Sequence, residues 1–87
     1  MTIQFTGRSA INPETFGISF EALVDGEKVI CNISTEALQD IDPLNASSEP
    51  IEQFEANQYR FQEIAKALIL KGKVQKGRLF IASSDVV

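Results

Sequence analysis

The residues best placed for chemistry form two small groups. Asn57 and Arg60 lie one helical turn apart, Asn57 together with Gln58 inside an otherwise apolar stripe and Arg60 at its edge, so their amide and guanidinium could form one wall of a small polar pocket. The alternative is structural: a buried amide left without partners costs about 1 to 3 kcal/mol, so Asn57 could equally tie its helix to nearby backbone. The second group is cationic. Residues 66–78 carry Lys66, Lys71, Lys73, Lys76 and Arg78 and no acid, whereas residues 36–55 carry six acids and no base. Acids near the start of a helix and lysines near its end complement the helix dipole. A basic end also suits an anionic partner.

Other chemistry is excluded by residue type. Histidine is absent, which removes Ser-His-Asp and Cys-His arrangements and the commonest metal ligand. No glycine-rich phosphate loop or zinc-ligand spacing occurs. Asp40, Asp42, Asn45 and Glu49 depart from the spacing of a calcium loop and lack its turn glycine. Cys31 is the single cysteine, so an internal disulfide is impossible, and its place on an apolar strand face predicts an unreactive thiol. The expectation is a protein without enzyme activity, metal or cofactor.

The elements that must position these groups can be read from pattern. At 87 residues, 44% apolar, 23% charged and with net charge −4, the chain predicts a single domain over residues 1–87 with one modest core. No apolar run is long enough to span a membrane, and the start Met1-Thr2-Ile3-Gln4-Phe5 lacks the features of an export signal, so a cytoplasmic protein is expected. Asp25-Gly26 between two alternating runs marks a two-residue hairpin turn joining residues 16–24 to 27–33. The register follows, with Val24 opposite Glu27, Ala22 opposite Val29, Phe20 opposite Cys31 and Ile18 opposite Ile33 on the apolar face. On the other face Leu23 meets Lys28, Glu21 meets Ile30 and Ser19 meets Asn32.

Residues 2–6 read as a first strand and 7–15 as a loop around Asn12-Pro13. Ser34 is the expected N-cap of a short helix over 35–41, which Asp42-Pro43 stops. Residues 43–48 form a connector. A long helix is predicted over 49–71, with Pro50 in its first turn and Gly72 as a left-handed cap. Its apolar stripe, about 140° wide, holds Ile51, Phe54, Phe61, Ile64, Ala65, Leu68 and Ile69. Lys76-Gly77 predicts either a second tight hairpin or a turn into a final strand, in which Leu79, Phe80 and Ile81 are covered on both faces, and residues 83–87 read as a frayed tail. The expected architecture is an α+β antiparallel sheet of four or five short strands against one long C-terminal helix, plus one short helix at an edge. Its core should contain Phe5, Ile18, Phe20, Ala22, Val29, Cys31, Ile33, Leu38, Phe54, Phe61, Leu68 and Ile81.

Several of these residues carry a resemblance. Phe20-Glu21-Ala22-Leu23-Val24-Asp25-Gly26, the run from Cys31-Asn32-Ile33-Ser34 to Ala37-Leu38, and then Phe54, Asn57, Arg60, Ile64 and Gly72 resemble the small bacterial proteins of the domain of unknown function 1488 family. The chain departs from that pattern at Pro13, where a large aromatic is usual, and at Asn57-Gln58, where an Asn-Arg pair is commoner. The resemblance implies a fold and no activity.

Two binding readings remain. In the first, apolar residues left outside the core, Leu23 and Ile30 on the hairpin and Tyr59 and Leu70 on the helix, serve a protein-interaction or regulatory module, including self-association as a homodimer. In the second, Lys71, Lys73, Lys76 and Arg78 bind nucleic acid, with a shallow salt slope of roughly −3 to −4 for duplex DNA. The acidic balance and the lack of aromatics among these lysines favour the first.

Overall fold

The Asp25-Gly26 turn organises the sheet. Both residues adopt positive φ, 52° and 86°, the geometry whose twist matches that of the flanking strands. In the computed structural model, which describes residues 1–45 and 47–86, this turn joins β2 (Ile18–Val24) to β3 (Glu27–Ile33). The register is the expected one at every position from Ile18 opposite Ile33 to Val24 opposite Glu27. Phe16 falls outside the strand: it sits in the preceding loop at φ 62°.

The first strand is longer than its apolar pattern implies. β1 (Ile3–Ile11) pairs antiparallel with β2. Between Phe5 and Ser9 it carries two more residues than β2 does between Ala22 and Phe20. Gly7, at φ 84°, allows the bulge, and pairing resumes through Ile11 opposite Ile18. Alternation is blurred across a bulge, which is why residues 7–11 read as loop. The connection itself is held by Asn12: its backbone carbonyl accepts from the Phe16 N–H at 2.8 Å, and its side-chain oxygen accepts from the Glu14 N–H at 2.9 Å.

After β3, Ser34 caps α1 (Thr35–Ile41), its hydroxyl accepting from the Ala37 N–H at 3.0 Å. A short 3₁₀ turn, Pro43–Asn45, follows. The predicted long helix is two helices, α2 (Pro50–Ala56) and α3 (Gln58–Leu70), separated at Asn57. There φ is −123°, the backbone N–H donates to the Phe54 carbonyl at 3.0 Å, and the side-chain Nδ2 donates to the Gln53 carbonyl at 3.0 Å. A side chain that bonds its own helix backbone competes with regular winding, so an Asn on the inner face marks the break. Gly72, at φ 76°, terminates α3: its N–H donates to the Ile69 carbonyl and the Lys73 N–H to the Leu68 carbonyl.

β4 (Arg78–Ile81) corrects the expected antiparallel sheet. It runs parallel to β3, from Ile30 beside Arg78 to Ile33 beside Ile81, making a four-stranded mixed sheet in the order β1-β2-β3-β4. The helices return the chain to the starting end of β3, as a parallel neighbour requires. Lys76-Gly77 is a tight turn with positive φ at both residues, but it closes a single bridge in which Gln75 and Arg78 exchange backbone bonds of 2.9 and 3.0 Å.

One core joins the inner sheet face to the helices. It comprises Ile18, Phe20, Ala22, Val29, Cys31, Ile33, Leu79 and Ile81 from the strands, and Ala37, Leu38, Ile41, Phe54, Phe61, Ala65, Leu68 and Ile69 from the helices. Phe5 is half-buried at its margin and contacts Phe20 with ring centroids 6.1 Å apart. Phe20, Phe54 and Phe61 continue the aromatic series at 5.3 and 6.1 Å. Leu79 and Ile81 point into this core, but Phe80 is 69% exposed, so β4 is covered on one face only. The expected tail contains a 3₁₀ turn, Ser83–Asp85, where the Asp85 carboxylate accepts from the Ala82 N–H at 2.9 Å and Val86 packs on the core. Ala46 of the connector and Val87 of the tail lie outside the described residues.

Candidate functional site

Alternation along the strands sorts the side chains. Since the helical core residues pack with the inward set, the opposite set lies on a sheet face with no helix over it: Ser19, Glu21 and Leu23 from β2, Lys28, Ile30 and Asn32 from β3, and Arg78 and Phe80 from β4. Leu23, Ile30 and Phe80 form a diagonal across three strands. Leu23 and Ile30 are half-buried by their neighbours, whereas Phe80 stands clear. Lys28 and Glu21, on the opposite diagonal of the same two pairs, approach to 3.7 Å, so their ion pair crosses between Leu23 and Ile30.

A polar wall borders the apolar diagonal. Asn32 Oδ1 accepts from Ser19 Oγ at 2.7 Å and from Asn12 Nδ2 at 3.2 Å, so the β1–β2 loop is tied to the middle of the sheet. Beside it lies a depression of about 220 Å³, lined by Asn12, Thr15, Asn32, Ser34 and Phe80 among others, at the carboxyl ends of the parallel pair β3 and β4. A second depression, about 340 Å³, runs from Pro13 and Glu14 past Asn32 and Ile30 to Arg78. These hollows offer amide and hydroxyl groups next to an aromatic ring, a chemistry suited to a peptide or side-chain contact. The pairing of Ser19 with Asn32 was visible from register. Asn12 and Phe80 were missed, the first because its contact crosses a bulge and a loop, the second because three consecutive apolar residues resemble a fully covered strand.

The groups singled out in the sequence occupy separate places. Arg60, on α3, donates from a guanidinium nitrogen to the Ile41 carbonyl at the end of α1, at 2.8 Å. Asn57 is buried at the junction of α2 and α3, bonded to Gln53. Both amide and guanidinium therefore make backbone contacts, one within a helix and one between helices. Lys71 follows α3, Lys73 and Lys76 lie in the connection to β4, and Arg78 opens β4; all four side chains are exposed. Leu23 and Ile30 share the uncovered sheet face, while Tyr59 and Leu70 are exposed on the helical layer, 72% and 62% accessible. The four apolar candidates are thus two pairs on opposite layers.

Cys31 is fully buried, and desolvation pushes its thiol from 9.0 up to about 12. Among the described residues, no group of three His, Cys, Asp or Glu side chains is gathered as a metal site. Among the described residues, no helix is long and apolar enough to cross a membrane.

Comparisons with known proteins agree with this architecture. A crystal structure of a protein of unknown function from the DUF1488 family of Shewanella loihica PV-4 superposes with a TM-score of 0.78, covering 91% of this chain and 90% of that one at 23% identity. At that identity the likeness speaks for the fold. No curated protein matches the sequence significantly. The family described as Protein of unknown function (DUF1488) matches residues 3–81, spanning all four strands and three helices, and the chain belongs to that family.

Proposed function

We propose that the protein is a non-enzymatic protein-interaction module whose partner docks on the uncovered sheet face. The observation that carries this reading is the diagonal of Leu23, Ile30 and Phe80 beside the Ser19–Asn32–Asn12 network. An apolar centre bordered by polar groups is the usual anatomy of a protein interface, and aromatic residues are its commonest anchors. The lack of histidine and the buried, protonated thiol at Cys31 support a binding role over catalysis. The compartment in which this binding takes place is proposed to be the cytoplasm, in keeping with a chain whose single cysteine leaves no disulfide framework to build.

The test is a tagged pull-down from native lysate with the natural sequence and with the Leu23→Ser/Ile30→Thr variant. A stoichiometric protein retained by the first and lost by the second is the expected result. Identical protein partners for both would overturn the sheet face as the docking surface. Recovery of nucleic acid alone, released by salt, would transfer the function to Lys71, Lys73, Lys76 and Arg78.

A further inference from the structure

The outer surface of α3 carries a pattern that neither the core nor the sheet face uses. Tyr59, Glu63, Lys66 and Leu70 are all exposed and follow one another at spacings of four, three and four residues. At about 100° per residue they fall within an arc of about 60°, directly opposite the buried Phe61, Ala65 and Leu68. Four-three-four spacing is that of a helix seam which packs against another helix. Two large apolar residues sit at its ends and two opposite charges at its middle. Among the described residues, neither Glu63 nor Lys66 forms an ion pair within its own chain.

The order along this seam is self-complementary in one direction only. If a second copy lies antiparallel, with the two-fold axis between Ile64 and Ala65, Tyr59 meets the second copy's Leu70 and Glu63 meets its Lys66, each contact occurring twice. A parallel arrangement stacks Glu63 on Glu63 and Lys66 on Lys66, which like-charge repulsion opposes.

We infer that α3 is a homodimer interface, the occupant of its outer face being a second, antiparallel copy of the same helix. This surface is separate from the sheet face, so either assignment can fail alone. A seam of about three turns buries less than the ~800 Å² per partner of a standard interface, so association is weak and is read at high protein concentration.

Sedimentation equilibrium up to about 1 mM protein, at low and high salt, tests it. The natural sequence is expected to dimerise, more weakly at high salt. Glu63→Lys, which sets lysine against lysine, and Lys66→Glu, which sets acid against acid, are each expected to weaken the dimer about tenfold or more. The double exchange Glu63→Lys/Lys66→Glu restores opposite charges and is expected to restore dimerisation. Both positions of change are exposed, and circular dichroism checks that the variants are folded. A monomer throughout the concentration range overturns the inference. So does a double exchange as defective as the single ones, or a dimer that Leu23→Ser/Ile30→Thr abolishes and the α3 variants leave intact.

Discussion

The guanidinium of Arg60 reaches from the first turn of α3 to the backbone carbonyl of Ile41, the residue that ends α1, at 2.8 Å. Helix ends leave carbonyls without intrahelical partners, and α1 has no basic residue in its own last turn. Arg60 supplies that donor from elsewhere in the chain. The contact ties together α1 and α3, which the 3₁₀ turn and α2 separate in the chain, and thereby helps to set the frame over the inner sheet face.

Arg60→Leu should therefore destabilise the fold by about 1.5 kcal/mol, the low end for a hydrogen bond to a charged group because the arginine is largely exposed. Arg60→Lys should recover part of the loss, since an ammonium can donate to one carbonyl without the guanidinium's reach. Urea midpoints of the three proteins check both statements. Equal stability of the leucine variant would remove Arg60 from the structural account.

Gly17 is the residue on which β2 enters the sheet, and it is buried. A Cβ there would collide with the backbone carbonyl of Ile33, which cannot move without breaking the end of β3. Gly17→Ala is expected to cost roughly 1–3 kcal/mol by overpacking, whereas Gly26→Ala meets no neighbour and suffers only from its positive φ. Thermal melts of the two variants separate a steric cost from a conformational one.

Cys31 gives the fold a dependence on alkaline pH. Its thiol ionises at about 12 when folded, against 9.0 for an unburied thiol, because burial opposes the thiolate. The contribution is complete below pH 9 and is lost between 9 and 12, where only the unfolded chain releases the proton. Stability should fall by up to about 1.4 kcal/mol per pH unit from this group alone. Denaturation of the natural protein and of Cys31→Ala at pH 8, 9 and 10 isolates it: the variant should be weaker at pH 8 and show a shallower decline. The same burial predicts that thiol reagents label Cys31 only as fast as the protein opens.

Local chemistry was the legible part of this fold. The Asp25-Gly26 turn determined seven paired positions, Ser34 and Pro50 marked helix starts, and Gly72 marked a helix end, because each acts through its own φ or a bond within three or four residues. What depended on distant contacts was misread. The bulge near Gly7 hid half of β1, and the direction of β4 is decided by where the helices deliver the chain. Asn57 was recognised as out of place among apolar neighbours, yet periodicity continues through it, so a single helix was expected where two occur. For the candidate site, register exposed Leu23, Ile30 and Ser19 opposite Asn32. Phe80 and Asn12 entered only with the sheet order and the loop contact.

The parallel pairing of β3 with β4 also sets the order in which the chain can fold. β1, β2 and β3 close through short connections, so their pairing has little loop entropy to overcome. β4 reaches Cys31 and Ile33 only after the whole helical segment has been synthesised. Until then the meander has its apolar face open to water and one edge of β3 unpaired, the kind of transient species most exposed to aggregation. Because the β3–β4 pairing joins segments far apart in the chain, the domain is expected to fold more slowly than its local meander alone would.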